Sequence, residues 1–332
     1  MSQLYPFLTI PIFDERPWGV RDLRPVYTRV VNEAIGESWL TWEDNRVANG
    51  PLAGSSIADL SKQYGRDMVG RLSHYENRFP LLIKFLFPGD KLSVQVHPDD
   101  EGAKRYGQPC GKTECWYVLR AHPGAQVALG LKAGVSLEDF RKAIEETRAE
   151  ELLNWIDVYA GDMIYVAAGT VHTIGGGMVL VETQQTSDIT YRLYDYGRPR
   201  ELHIDKGLEA TKLNTSAGKV VRNADASSDV LILSPFFRVE KMRLREPLQT
   251  PMSPDTPHVV VAVNGAGMVE AEGMEPVSFA TGEAIVVPAC VKEYMVRPQW
   301  DLDIMRMSLP VGSVAEPRTS LTHSLSPQKN GV

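Results

Sequence analysis

The chain has 332 residues, 43% hydrophobic and 23% charged, with a formal net charge of -7. That composition is that of a soluble globular protein with room for two domains or one large one. The acidic balance without a basic stripe argues against a nucleic-acid partner, and the lack of long apolar runs argues against a membrane span or signal peptide.

In chain order, residues 1 to about 30 mix prolines and aromatics, and "NEAIGESWLTW" reads as a strand. "GSSIADLSKQYG" reads as a short helix, capped by Ser56 with Asp59 three residues on and ended by Gly65. Short strands follow in "PLLIKFL", "KLSVQVH", "ECWYVLRA" and "AQVALGL". A helical insertion over about 136–156 interrupts them, with a Ser136/Asp139 capping box and Leu137, Phe140 and Ile144 at helical spacing. Strands resume in "GDMIYVAAG", "MVLVETQQ" and "TYRLYDYG", and many short strands at close spacing suggest an antiparallel sandwich or barrel.

Residues 206–229 read as a connector with a possible helix at "DKGLEATKL". A second strand series runs over 230–310, and the Ser/Pro/Thr-rich tail 311–332 is expected to be loosely ordered. "GDMIYVAAGTVH" is echoed by "GEAIVVPACVKE", which suggests two copies of one barrel. The first copy ends on His172 and the second on Glu293, so the first reads as active and the second as structural. Cys110, Cys115 and Cys290 are odd in number and form no CxxC pair, which fits the cytoplasm.

The chemistry concentrates in "LSVQVHPDDEG". A strand period of two puts Ser93, Gln95 and His97 on one face. Glu114 lies on the next strand and His172 follows a tight "AAGT" turn, so a closed barrel would bring Gln95, His97, Glu114 and His172 together. Two imidazoles, a carboxylate and an amide oxygen make a reasonable divalent-metal site with open positions. Asp99 and Asp100 read as caps and turn formers rather than ligands. His74, His122, His203, His258 and His323 read as surface or satisfied histidines, and the glycines 175–177 as a turn.

"SVQVHPDD", "GKTECWYVL", "GTVHTI" and "ETQQTSDITYRLYDYGR" resemble the type I mannose-6-phosphate isomerases of the cupin superfamily, in their short bacterial form. "RPWGV", "GESW" and "FPLLIKFL" extend the likeness over about residues 5–220. The resemblance implies a mainly β protein of two cupin-type jelly-roll barrels: a catalytic unit over 1–205 and a degenerate one over 230–310. It implies one Zn2+ held by Gln95, His97, Glu114 and His172. It further implies that Arg192, Lys112 and Glu182 line the active site. Ala167 stands where the family often has proline, which leaves the turn possible but less rigid.

The expected reaction interconverts mannose 6-phosphate and fructose 6-phosphate by proton transfer through an enediol(ate). Lys112 and Glu182 are both candidate bases, and Glu182 has the alternative of a structural pair with Arg192. Ser93, Lys84 and Arg198 are candidate phosphate binders, Lys84 with snorkelling as its alternative. Competing readings are a cupin isomerase of another sugar and a non-catalytic sugar-binding cupin. A monomer or homodimer is expected.

Overall fold

The computed structural model describes residues 3–75, 77–221 and 229–321. Alternation along the strands sorts the chain into four stacked sheets. On Glu114–Ala121, Trp116 and Val118 face one core while Cys115 and Tyr117 face another. This strand lies in an eight-stranded sheet ordered Ile12–Asp22, Val30–Trp39, Leu81–Leu86, Met178–Gln185, Glu114–Ala121, Met163–Val166, Gly218–Val220, Thr319–Ser320. Over its first face lies a five-stranded sheet ordered Tyr191–Tyr194, Val94–Val96, His172–Ile174, Gln126–Leu131, Leu153–Asp157. Val127, Leu129, Ile156 and Ile174 close the shared core with Trp116, Val118, Ile164 and Leu180.

The outer face of the five-stranded sheet carries Val94, Val96, Ala128 and Leu193. Phe140 and Ile144 of the helix Leu137–Glu145 and Leu208 of the helix Ile204–Ala210 cover it. Both expected capping boxes form, at Ser56/Asp59 and Ser136/Asp139. The helical insertion is shorter than expected: Thr147 adopts φ 59, and Leu153–Asp157 is already a strand. The capping reading of Asp99 holds, but it starts an unforeseen helix, Asp100–Arg105.

The other face of the eight-stranded sheet packs on a six-stranded sheet, with Phe85, Tyr117, Tyr165 and Val181 against Phe237, Val239, Val261 and Met307. A four-stranded sheet completes the stack. Among the described residues no sheet closes on itself, so the expected barrels are open pairs of facing sheets. The tail differs from expectation, because Thr319–Ser320 pairs with Gly218–Val220 as an edge strand. The rest of the tail, 322–332 with His323, and residues 222–228 of the connector lie outside the described residues. Phe7–Leu8 pairs with Ala284–Val287, so each half lends the other an edge.

The sequence echo corresponds to a repeated topology. Val30–Trp39, Leu81–Leu86, Met178–Gln185, Glu114–Ala121 and Met163–Val166 lie in the same order as Val230–Leu233, Arg238–Leu244, Leu302–Ser308, His258–Asn264 and Ala284–Val287. In the first half Glu114 pairs across strands with Val166, and Lys84 with Glu182. In the second His258 pairs with Val287, and Glu240 with Arg306. The buried cation–carboxylate pair is therefore kept with its polarity reversed. Arg306 Nε donates to Glu240 at 2.8 Å, Arg238 donates to the same carboxylate at 2.7 Å, and His258 Nδ1 lies 3.1 Å from the Tyr294 hydroxyl.

Breaking a buried ion pair strands the remaining charge. Here Arg238 still meets Glu240 once Arg306 is gone, so we expect Arg306→Met to lower unfolding free energy by about 2 kcal/mol in urea titration, as for one lost hydrogen bond to a charged group, and Arg306→Met with Glu240→Met to recover most of it. Equal loss in both variants would show that packing, not charge pairing, matters there.

Candidate active site

Two cross-strand rows face each other between the five- and eight-stranded sheets. In the first row Arg192 and His172 both register with Gln95. In the second, Trp39 registers with Lys84, Lys84 with Glu182 and Glu182 with Trp116. The expected strand Leu92–His97 is regular only over Val94–Val96, and Leu92 turns into the inner core. Ser93, Gln95 and His97 still face inward. A cavity of about 390 Å3 lies there, lined by Ser93, Gln95, Lys84, Lys112, Glu114, Glu182 and Arg192 among others.

His97 and His172 lie beside Glu114 of its lining. Their Nε2 atoms lie 3.5 and 3.4 Å from the Glu114 carboxylate, and the three ligand atoms lie within 4.8 Å of one another. His97 Nδ1 is 2.8 Å from Ile189 O, and His172 Nδ1 is 2.8 Å from Thr170 O. A carbonyl only accepts, so both Nδ1 atoms carry the proton and both Nε2 lone pairs face the centre. Burial and then the Lys112 charge push His97 well below the ordinary histidine value; burial takes His172 down to about 4. His97 Nε2 and both Glu114 oxygens are buried without a hydrogen-bond partner.

That donor set fits a divalent cation: neutral imidazoles and a carboxylate converge, with backbone carbonyls fixing the tautomers. Gln95 Nε2 lies 3.2 Å from His172 Nε2, and its Oε1 accepts from Ser93. A half-turn of the amide offers the oxygen to the centre and the N–H to Ser93 Oγ.

Local turns hold this arrangement. Gly169, at φ +90, ends the "AAGT" turn and donates to His97 O at 2.8 Å, tying one histidine strand to the other. A Cβ at Gly111 would lie 2.4 Å from Asp99 C; that close approach lets Lys112 N reach Pro98 O at 3.0 Å.

Lys112 Nζ lies 3.1 Å from Glu114. Burial alone would lower its pKa, but Glu114, Glu182 and Asp188 outweigh it and hold the ammonium charged. Burial and then Glu114 push Glu182 up to about 7. Trp116 Nε1 donates to Glu182 Oε2 at 3.1 Å and Lys84 lies 3.8 Å from Oε1, so its ionic neighbour is Lys84 rather than Arg192.

The charged lining residues that lay outside the sequence expectation are Glu15, Arg16, Glu37, Asp188 and Arg200. Glu37 takes Trp39 Nε1 at 2.6 Å and Arg16 Nε at 3.1 Å, and lies 3.3 Å from Lys84. Burial would raise it, but Lys84, Arg16 and Lys112 bring it down to about 2. Its available signal was parity: Glu37 is two residues before Trp39 and shares its strand face. Arg198 does not reach the cavity; its guanidinium is held by Lys91 O, Asp195 and Asp90. The cysteines are free, and no helix among the described residues is long and apolar enough to cross a membrane.

Residues 28–132 match the family model for the catalytic domain of type I phosphomannose isomerase. The mannose-6-phosphate isomerase of Streptococcus mutans is 34% identical over 86% of this chain and 92% of its own length. The chain belongs to the type I mannose-6-phosphate isomerase family. ManA of Bacillus subtilis, a second family member, is 33% identical over 87% of this chain and 95% of its own length. The crystal structure of a B. subtilis mannose 6-phosphate isomerase superposes with a TM-score of 0.80 at 28% identity, covering 92% of this chain and 99% of that one. A zinc-bound mannose 6-phosphate isomerase superposes at 0.74 with 14% identity over 93% of this chain and 100% of that one, a likeness of fold.

A divalent cation at 100 times its Kd should stabilise the chain by about 2.7 kcal/mol. We expect that shift in urea unfolding of the native chain and its loss in the His97→Ala/His172→Ala variant. A shift retained in the double variant would place the ion elsewhere.

Proposed function

We propose that this isomerase interconverts mannose 6-phosphate and fructose 6-phosphate, moving a proton between C2 and C1 through an enediol(ate). The observation that carries this is a buried proton-transfer group, Glu182, beside converging Nε2 lone pairs and a carboxylate that no donor satisfies. Zinc held by His97, Glu114, His172 and the Gln95 oxygen would polarise the substrate carbonyl and stabilise enediolate charge. Glu182 is the base. A pKa near 7 keeps it basic enough to take a carbon-bound proton and acidic enough to return it. Trp116 anchors one of its oxygens and leaves the other toward the cavity.

Lys112 keeps its proton, so it acts as a donor to substrate oxygens rather than as the base. Arg192 offers its fork from the opposite row, and Ser93 and Lys84 offer hydroxyl and ammonium donors to the sugar. Each pair of facing sheets is read as a cupin jelly roll, with residues 1–205 catalytic, 206–229 connecting and 230–310 degenerate. The satisfied Glu240–Arg306 network supports a silent second unit. The free thiols support a reducing compartment, the cytoplasm.

The test is conversion of mannose 6-phosphate by purified protein before chelation, after it, and after zinc is restored. Activity should vanish and return. Zinc-loaded protein without activity would contradict the proposal and move the weight to another sugar or to a binding role. In the active enzyme, Glu182→Gln should lower kcat by roughly 100- to 10,000-fold. The base works ionised, so kcat/KM should fall about tenfold per pH unit below a pKa near 7 and level off above it. An acid limb that persists unchanged in Glu182→Gln would assign the base elsewhere.

A further inference from the structure

Resting on that reading, we propose that Arg200, held in place by the buried carboxylate of Asp195, is the residue that selects a phosphorylated sugar over a free one. The cations facing the cavity divide by their partners. Lys112 is matched by Glu114 at 3.1 Å, Lys84 by Glu37 at 3.3 Å, and Arg16 by Asp14 at 2.7 Å and Glu37 at 3.1 Å. Those charges are balanced within the wall, which leaves them hydrogen bonds for the sugar but no excess charge for a dianion. Arg192 is in no ion pair among the described residues, and Arg200 takes its carboxylate from outside the cavity lining.

Arg192 Nη1 is taken by a neutral group, Glu201 O, at 2.8 Å, and its Nε is buried without a partner. Arg200 gives Nε and Nη2 to Asp195 at 2.7 Å each. Asp195 is only 2% exposed, lies outside the cavity lining, and is shared with Arg198 at 3.3 Å. Arg198 has its own carboxylate, Asp90 at 2.7 Å, so Asp195 serves to hold and orient Arg200. The same fork fixes the plane of Arg200 and leaves Nη1 without a hydrogen-bond partner among the described residues.

The Arg200 and Arg16 charges, after burial, pull Arg192 below the usual arginine value, so the three guanidiniums share one region of the cavity. A bound dianion relieves that repulsion and takes the open N–H groups in charge-assisted bonds. A free sugar hydroxyl does neither, and a site built around a missing group rejects the analogue that lacks it.

The experiment uses zinc-loaded full-length protein with inorganic phosphate as probe, read by calorimetry, alongside kinetics with mannose 6-phosphate and with mannose. In Arg200→Met, phosphate affinity should fall and KM for mannose 6-phosphate should rise, each roughly 10- to 100-fold, as for a lost hydrogen bond to a charged group. Its kcat should stay within a few-fold, and kcat/KM for mannose should not change. Arg200→Lys should recover part of the loss. Asp195→Asn/Arg200→Met, which leaves no buried carboxylate unpaired, should behave as Arg200→Met and guards against misfolding. Phosphate affinity unchanged in both, or equal losses for the two sugars, overturns the assignment. Phosphate binding that depends on Arg200 in a chain inactive on mannose 6-phosphate would uphold the assignment and sink the isomerase reading instead.

Discussion

Glu114 is a carboxylate buried between two imidazoles, neither of which has a proton to give it. Moving such a charge out of water costs several kcal/mol unless an opposite charge or hydrogen bonds compensate. Lys112 supplies one contact at 3.1 Å, and both carboxylate oxygens remain without a hydrogen bond. The surroundings are arranged around that deficit. Backbone carbonyls hold the Nδ1 protons of His97 and His172, and burial keeps both rings neutral. A cation at the centre would complete the electrostatics.

The deficit is placed by strand register rather than by loops. Glu182 lies one cross-strand step from both Lys84 and Trp116, and His172 one step from Gln95. A slip of one residue would send every one of these groups to the opposite face of its sheet. The hydrophobic cores on both sides of the eight-stranded sheet prevent that slip, so packing far from the chemistry fixes the geometry. The second half shows the alternative solution on the same topology. There Arg306 and Glu240 satisfy each other, Arg238 adds a second donor, and none of the three has a buried polar atom left open.

Much of this was legible from local pattern. The period of two around Gln95 and His97, the position of Glu114, and the echo between residues 161–172 and 282–293 all rest on short-range spacing, which a strand preserves. Arg200 was not legible, because it follows the last strand of its sheet and its direction depends on Asp195. Charge alone pointed to Arg198, which Asp90 and Asp195 turn away. The end of the helical insertion was misjudged because "LLNWIDV" carries apolar residues compatible with both periods. The edge strands Phe7–Leu8 and Thr319–Ser320 were missed because each pairs with a strand of the other half, and short segments carry no record of distant partners.

X-ray absorption at the zinc edge on the stoichiometrically loaded chain tests the central claim most directly. The account predicts one ion per chain with nitrogen and oxygen ligands at about 2.0–2.2 Å, including two imidazoles, and no sulfur shell. A sulfur shell near 2.3 Å, or a shell without imidazole scattering, would contradict it.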